Sequence, residues 1–151
     1  MIQRKQTVFL LIAAILNVIC LFNPLGGVRL EGMGIPPVLY NIGIRSATGT
    51  FDFLAVPLFF LLATASILSV VAIFQFKKRP VQSKLCLLNC WLYVLWYVYG
   101  AFVIGHSMLP LGQFKADMGI SLPLISLILT FMARRGIVAD EKLVKSMDRI
   151  R

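Results

Sequence analysis

The residues best suited to chemistry lie in an aromatic-rich run around Tyr93. Asn89, Tyr93, Tyr97 and Gly100 recur at i, i+4, i+8 and i+11, and Trp96 lies beside them. On a helix this spacing forms one stripe. An amide, a phenol and an indole on an apolar surface suit a quinone or a lipid, with Asn89 and Tyr93 supplying hydrogen bonds. The other interpretation, which we favour, is an aromatic core whose hydroxyl groups bond to neighbouring helices.

The remaining reactive side chains do not form a catalytic group. Cys20 lies in a different apolar stretch from Cys86 and Cys90, and an i, i+4 pair on a helix is poorly placed for a disulfide. His106 is the only histidine, whereas a haem or a catalytic metal needs further ligands. No serine nucleophile motif, phosphate-binding glycine loop or paired acids are present. We therefore expect packing cysteines, a structural histidine, no cofactor or metal, and no enzyme activity.

Four apolar stretches must position these residues. They cover approximately residues 6–25, 51–76, 85–105 and 118–133. Each is close to the roughly 20 helical residues that cross about 30 Å of hydrocarbon. We predict a single all-α membrane domain over residues 1–151, folded as a four-transmembrane-helix bundle.

The basic residues lie on alternate connections between these stretches. Twelve of the 15 lysines and arginines precede the first stretch, separate the second from the third, or follow the fourth. Only Arg29, Arg45 and Lys115 lie on the other two connections, where three acids balance them. Because short basic loops remain in the cytoplasm, we predict that both termini are cytoplasmic. The net charge of +9 is then explained by contact with anionic inner-leaflet lipids, and we expect no nucleic-acid partner.

The first outer connection, residues 26–50, is dense in glycine and proline. This composition predicts a short compact loop with a small two-stranded β element. The loop is either a lid over the helices, which we favour, or a contact for an outer partner. We also expect Thr50 to cap the second helix, with Asp52 in its first turn. Pro57 and Pro123 should bend the second and fourth helices.

The cytoplasmic tail, residues 134–151, begins with two arginines and a glycine, Gly136, that we expect to interrupt the helix. From Asp140 onward the spacing of apolar residues predicts a short C-terminal amphipathic cytoplasmic helix. Such a helix needs a surface, either anionic lipid or a docked membrane-protein partner. The candidate docking residues at the two ends of the chain are Ile2, Gln3, Arg4, Leu143, Lys145, Met147, Arg149 and Ile150.

Both ends of the chain also carry a family resemblance. Residues 1–11, MIQRKQTVFLL, and residues 140–151, DEKLVKSMDRIR, are similar to the terminal sequences of an uncharacterised four-span bacterial membrane family, domain of unknown function 4293. The resemblance extends over the layout of the whole chain and is most specific at these ends. It implies residence in the bacterial inner (cytoplasmic) membrane. It implies no particular activity and no catalytic residues.

Three functions are compatible with these features. The interpretation we favour is an accessory or scaffold subunit of a larger membrane assembly. The first alternative is a hydrophobic-ligand or quinone-binding protein that uses Asn89, Tyr93, Trp96 and Tyr97. The second alternative is a small transporter, which the uncharged interior disfavours because ion-coupled carriers generally need an ionisable group within the membrane.

Overall fold

Four long helices make up most of the computed structural model, which describes residues 3–29, 36–46, 48–76 and 78–148. The helices are α1 (Gln3–Phe22), α2 (Val56–Phe74), α3 (Arg79–Val103) and α4 (Met118–Asp148). A 3₁₀ turn at Phe53–Ala55 precedes α2, and a π-helical turn at Ile104–Met108 followed by a 3₁₀ turn at Leu109–Leu111 extends α3. All four helices are long and apolar enough to cross a membrane.

The helices pack side by side in a closed ring. α1 contacts α2 and α4, and α3 contacts the same two helices. Buried positions recur at alternating steps of four and three residues: 6, 10, 13, 17 and 20 in α1; 58, 62, 65, 69 and 72 in α2; 82, 86, 89, 93, 96, 100 and 103 in α3; and 119, 123, 126, 130, 133 and 137 in α4. This 3.5-residue period is typical of helices that interlock along a continuous seam. The outward faces carry exposed large apolar side chains, among them Leu11, Phe60, Trp91 and Ile128.

A small antiparallel sheet covers one end of the helices. Its strands are β1 (Gly26–Arg29), β2 (Val38–Leu39), β3 (Ile44–Arg45), β4 (Phe51–Asp52) and β5 (Gln113–Ala116), in the order β4-β3-β2-β1-β5. Val28, Leu39 and Ile44 are buried in the same apolar cluster as helix residues Leu58 and Val103. The sheet is larger than the predicted two-stranded element because the segment between α1 and α2 supplies four short strands, and β5, from the connection between α3 and α4, pairs along the whole of β1.

The start of α2 differs from the prediction. Asp52 rather than Thr50 is the capping residue: its carboxylate accepts a hydrogen bond of 3.1 Å from the Leu54 backbone N–H at the start of the 3₁₀ turn. Pro57 lies in the first turn of α2 and not in its interior. At that position a proline removes no intrahelical hydrogen bond, so Pro57 favours the start of the helix and is not placed to bend it. Pro123 does lie inside α4, as predicted.

Gly136 does not interrupt α4, which continues to Asp148, so the predicted separate C-terminal helix is wrong. A Cβ atom at Gly136 would lie 3.1 Å from the Gln6 amide nitrogen, so the glycine permits close approach of α1. The Gln6 amide in turn donates a hydrogen bond of 2.6 Å to the Asp140 carboxylate. Contact with α1 therefore stabilises α4 at Gly136, a residue of low helix propensity.

Most of the candidate docking residues lie outside the described part of the chain. These are Ile2, Arg149 and Ile150, together with the side chains of Gln3, Arg4, Lys145 and Met147. Leu143 is described and exposed on the last turns of α4.

Candidate functional site

Polar side chains from all four helices meet around Tyr93. We call this set, Asn17, Ser69, Asn89, Tyr93 and Thr130, the central polar layer. The Asn17 amide donates a hydrogen bond of 2.7 Å to the Tyr93 hydroxyl, and the Asn89 amide donates one of 2.8 Å to the Ser69 hydroxyl. The Tyr93 hydroxyl also interacts with Ser69, Asn89 and Thr130. All five residues are buried, so the layer links the four helices at a point away from water.

Two acceptors in this layer have no partner. The side-chain oxygens of Asn17 and Asn89 are buried and make no hydrogen bond with the described residues. A buried amide oxygen without a partner costs about 1–3 kcal/mol. Each of the two oxygens therefore retains an unused capacity to accept a hydrogen bond.

The central polar layer gives a direct test of the interior hydrogen bonds. We predict that Tyr93→Phe lowers the melting temperature of the detergent-solubilised protein, because the buried Asn17 amide loses its acceptor. The expected loss is about 1–2 kcal/mol, since hydrogen bonds between membrane helices are modest. The double variant Asn17→Leu/Tyr93→Phe should recover part of that loss because no buried donor is left without a partner. A Tyr93→Phe protein as stable as the parent would contradict this role.

Trp96 continues the buried line of α3 toward the sheet. The Trp96 indole N–H donates a hydrogen bond of 3.2 Å to the side-chain oxygen of Asn41, and the Asn41 amide donates one of 2.7 Å to the Cys20 carbonyl. Asn41 comes from the connection between β2 and β3, yet it is fully buried. It joins the outer sheet to both α1 and α3. Asn41 was not among the predicted site residues, because an asparagine in a glycine-rich loop is normally a turn residue.

The other tyrosines of α3 bond to backbone groups. The Tyr97 hydroxyl donates a hydrogen bond of 2.7 Å to the Ile120 carbonyl, and the Tyr99 hydroxyl donates one of 2.9 Å to the Leu54 carbonyl. Tyr97 is half-buried at the contact between α3 and α4 and stacks edge-on against Trp96, with ring centroids 4.9 Å apart.

The structure thus brings Asn89, Tyr93 and Trp96 onto the interior line of α3 and leaves Tyr97 at its edge. The buried positions at the centre of α3 are 89, 93, 96 and 100. The stripe predicted from the sequence contained position 97 in place of position 96. Each of the four candidate residues takes part in at least one side-chain hydrogen bond with another part of the chain.

The cysteines and the histidine occupy separate places. All three thiols are free; Cys20 donates to the Gly119 carbonyl at 3.1 Å, and Cys86 belongs to an apolar cluster at the opposite end of the helices. His106 lies in the π-helical turn and stacks on Phe102 with a centroid separation of 5.9 Å. Among the described residues, no three His, Cys, Asp or Glu side chains are grouped in a way that could hold a metal ion.

A cavity of about 540 Å³ is lined by residues of β1, β2 and β5 and of the segments beside them. Arg29 and Lys115 line it together with Tyr40, and Asp117 supplies one opposing charge. Lys115 pairs with Gly27 across β1 and β5, and both residues line the cavity. The surface has the mixed polar and apolar character of a partner contact.

These features define a helical protein with four helices suited to crossing a membrane and a small sheet over one end. Comparison with family profiles is decisive: residues 2–150 match the family described as Domain of unknown function (DUF4293), and the chain belongs to that family. A comparison with curated proteins finds no match.

Proposed function

We propose that the chain is an integral protein of the bacterial inner membrane, folded as a four-transmembrane-helix bundle, and that it serves as an accessory or scaffold subunit of a larger membrane assembly. The observation that carries this proposal is the use of interior polar groups to join the helices. Tyr93, Trp96 and Tyr97 each contribute a side-chain hydrogen bond to another element of the chain. Such contacts favour a rigid framework, whose interaction surfaces lie at its two ends.

The placement of charge supports an orientation with both termini in the cytoplasm. Hydrogen bonds from Gln6 to Asp140 and from Gln82 to Ala72 indicate which helix ends lie together. Those ends carry described basic residues, including Lys5, Arg79 and Arg134. The opposite ends carry the sheet, with few basic residues. Basic residues near the ends of spans favour retention on the cytoplasmic side.

The topology prediction is that a reporter fused after Arg151 reports the cytoplasm. In a variant whose three native cysteines are replaced by alanine, Thr48→Cys should react with a membrane-impermeant maleimide added to intact spheroplasts, because Thr48 lies exposed in the outer turn. Lys78→Cys in the same background should react only after permeabilisation and is the matched control. Reaction of Lys78→Cys in intact spheroplasts would contradict the orientation.

The scaffold role is supported by apolar surface on the extension of α4. Leu143 and Val144 are exposed beyond the contact between Gln6 and Asp140, where no other described helix covers them. Leu143 and Val144 add apolar area to a charged helix end, which a docked partner would remove from solvent. A partner that binds here would also meet Lys142, the preceding residue of the same helix, which is exposed.

We predict that deleting residues 143–151 leaves the four spans inserted but releases a partner that co-purifies in mild detergent. The deletion keeps Asp140 and its bond to Gln6, so the helix contacts are preserved. Quantitative mass spectrometry of the purified complex measures the loss. The paired substitution Leu143→Ser/Val144→Ser tests the same surface without shortening the chain. Full partner occupancy in both variants would overturn the docking role of the tail.

A further inference from the structure

Three basic residues follow one face of the inner half of α4. Arg134, Arg135 and Lys142, with Val138 and Ala139 between them, line a groove of about 290 Å³ that we call the inner groove. Because α4 is unbroken here, positions 134, 138 and 142 succeed one another turn by turn. Arg134 and Lys142 are therefore about 12 Å apart along the axis. A break at the glycine between them would have removed this alignment.

The charges of the inner groove are not neutralised by its own lining. Every charged residue that lines it is basic. The Nε atom of Arg134 is buried and has no hydrogen-bond partner among the described residues. On the facing helix, the thiols Cys86 and Cys90 lie within electrostatic reach of Arg134. Arg134 as a residue is only partly buried, and the terminal N–H groups of an arginine match the oxygens of a phosphate group, which accept hydrogen bonds in a forked geometry.

The surface next to the inner groove distinguishes a lipid from a free phosphate. Ile128, Phe131 and Met132 are exposed on α4 and precede Arg135 at helical spacings of seven, four and three residues. The exposed stripe therefore changes from apolar to basic along one continuous helix. An acyl chain fits the apolar part, and an anionic headgroup fits the basic part.

We propose that the inner groove binds the phosphate of an anionic phospholipid from the inner leaflet, with an acyl chain along Ile128 and Phe131. This inference rests on the proposed membrane location. Arg134 and Arg135 hold the phosphate, and Lys142 faces the distal part of the headgroup. A zwitterionic headgroup brings its own ammonium group toward Lys142, so the site selects a headgroup of net negative charge.

The test uses the full chain, purified in a mild non-ionic detergent. Native mass spectrometry measures the binding of added phosphatidylglycerol and phosphatidylcholine. Arg134→Gln/Lys142→Gln should weaken phosphatidylglycerol binding at least about tenfold, because two charged contacts are removed. Lys84→Gln is the matched control, since Lys84 is an exposed basic residue near the same end of α3 and does not line the groove. Arg135→Gln/Lys142→Gln leaves Arg134 against α3 and keeps the test valid if the first variant unfolds.

The proposal requires a preference of the parent protein for phosphatidylglycerol that the groove variants lose and Lys84→Gln retains. Equal binding of the two lipids, or equal loss in Lys84→Gln, overturns it. Displacement of the lipid by millimolar inorganic phosphate assigns the groove to soluble phosphate and overturns the lipid assignment. Extraction of native membranes with alkaline carbonate separates a failure of the lipid-site proposal from a failure of the proposed membrane location. A chain that stays in the membrane without lipid preference refutes only this inference, whereas a chain that is released refutes the membrane location.

Discussion

Trp96→Ala is expected to lower the stability of the protein in detergent by about 3–5 kcal/mol, the usual cost of truncating a buried tryptophan. Trp96 is 2% exposed, so lipid or detergent has little access to the cavity that the substitution leaves. The substitution also removes the indole donor from Asn41, whose side-chain oxygen becomes a buried acceptor without its partner. Asn41 joins the sheet to α1, so the loss should loosen both layers of the molecule.

The measurement is thermal unfolding in detergent, with Trp91→Ala as the matched control. Trp91 lies on the same helix but is 60% exposed, so its truncation removes an outward contact and creates no internal cavity. Equal melting temperatures for the two variants would refute the assigned role of Trp96. An unchanged melting temperature combined with loss of a co-purifying quinone would instead favour the ligand-binding alternative.

Gly119→Ala is the second substitution with a large expected effect. A Cβ atom at this position would overlap the backbone carbonyl of Pro24 and lie 3.4 Å from the Leu25 Cα atom. The neighbouring backbone is held in place, because the Leu25 N–H bonds to the Leu39 carbonyl at 2.8 Å and the Leu25 carbonyl accepts from the Asp117 N–H at 2.9 Å. The methyl group therefore forces the start of α4 away from the segment between α1 and β1, at a cost of about 1–3 kcal/mol or more.

Gly105→Ala provides the control for this prediction. In the part of the chain that the structure describes, no atom outside the surrounding helical backbone lies within 4 Å of the Cβ position at Gly105, which is in the π-helical turn. Alanine has the higher helix propensity by about 1 kcal/mol, so Gly105→Ala should be neutral or slightly stabilising. If Gly119→Ala unfolds at the same temperature as Gly105→Ala in detergent, the close approach of α4 to Pro24 is not structurally important.

The helices themselves could be predicted from the sequence because their signal is long and redundant. Four apolar stretches of suitable length predicted α1 to α4. Both ends of α1 lie about three residues before the expected bounds, whereas α2 begins at Val56 and not at residue 51, because residues 51 and 52 form β4. Element boundaries depended on single residues and were less predictable. A proline near the beginning of an apolar stretch is compatible with a bend inside a helix or with the first turn of a helix. Pro57 is in the first turn, because α2 begins at Val56, directly after the 3₁₀ turn.

Two features required knowledge of distant contacts. Gly136 carries a local signal for a helix end, but its neighbour in space is Gln6, at the other end of the chain. The sheet gains its fifth strand because residues 26–29 and 113–116 pair, although neither segment has the length or alternation of a predictable strand. In the candidate site, the pattern identified Asn89, Tyr93 and Trp96, whereas their partners Ser69, Asn17 and Asn41 lie on other elements. Spacing within one helix contains no information about those partners.

The pairing of early with late segments sets the order in which the nascent chain can assemble. α1 meets α4 through the bonds from Gln6 to Asp140 and from Ser126 to the Ala13 carbonyl, and β1 acquires its outermost neighbour only with β5. A ribosome must therefore synthesise almost the whole sequence before the first helix finds its final neighbour. Until then, the face of α1 that contacts α4 lacks its partner. Closure of the helix ring is consequently a late step of biosynthesis, and a chain stalled before Met118 would present an incomplete ring to chaperones.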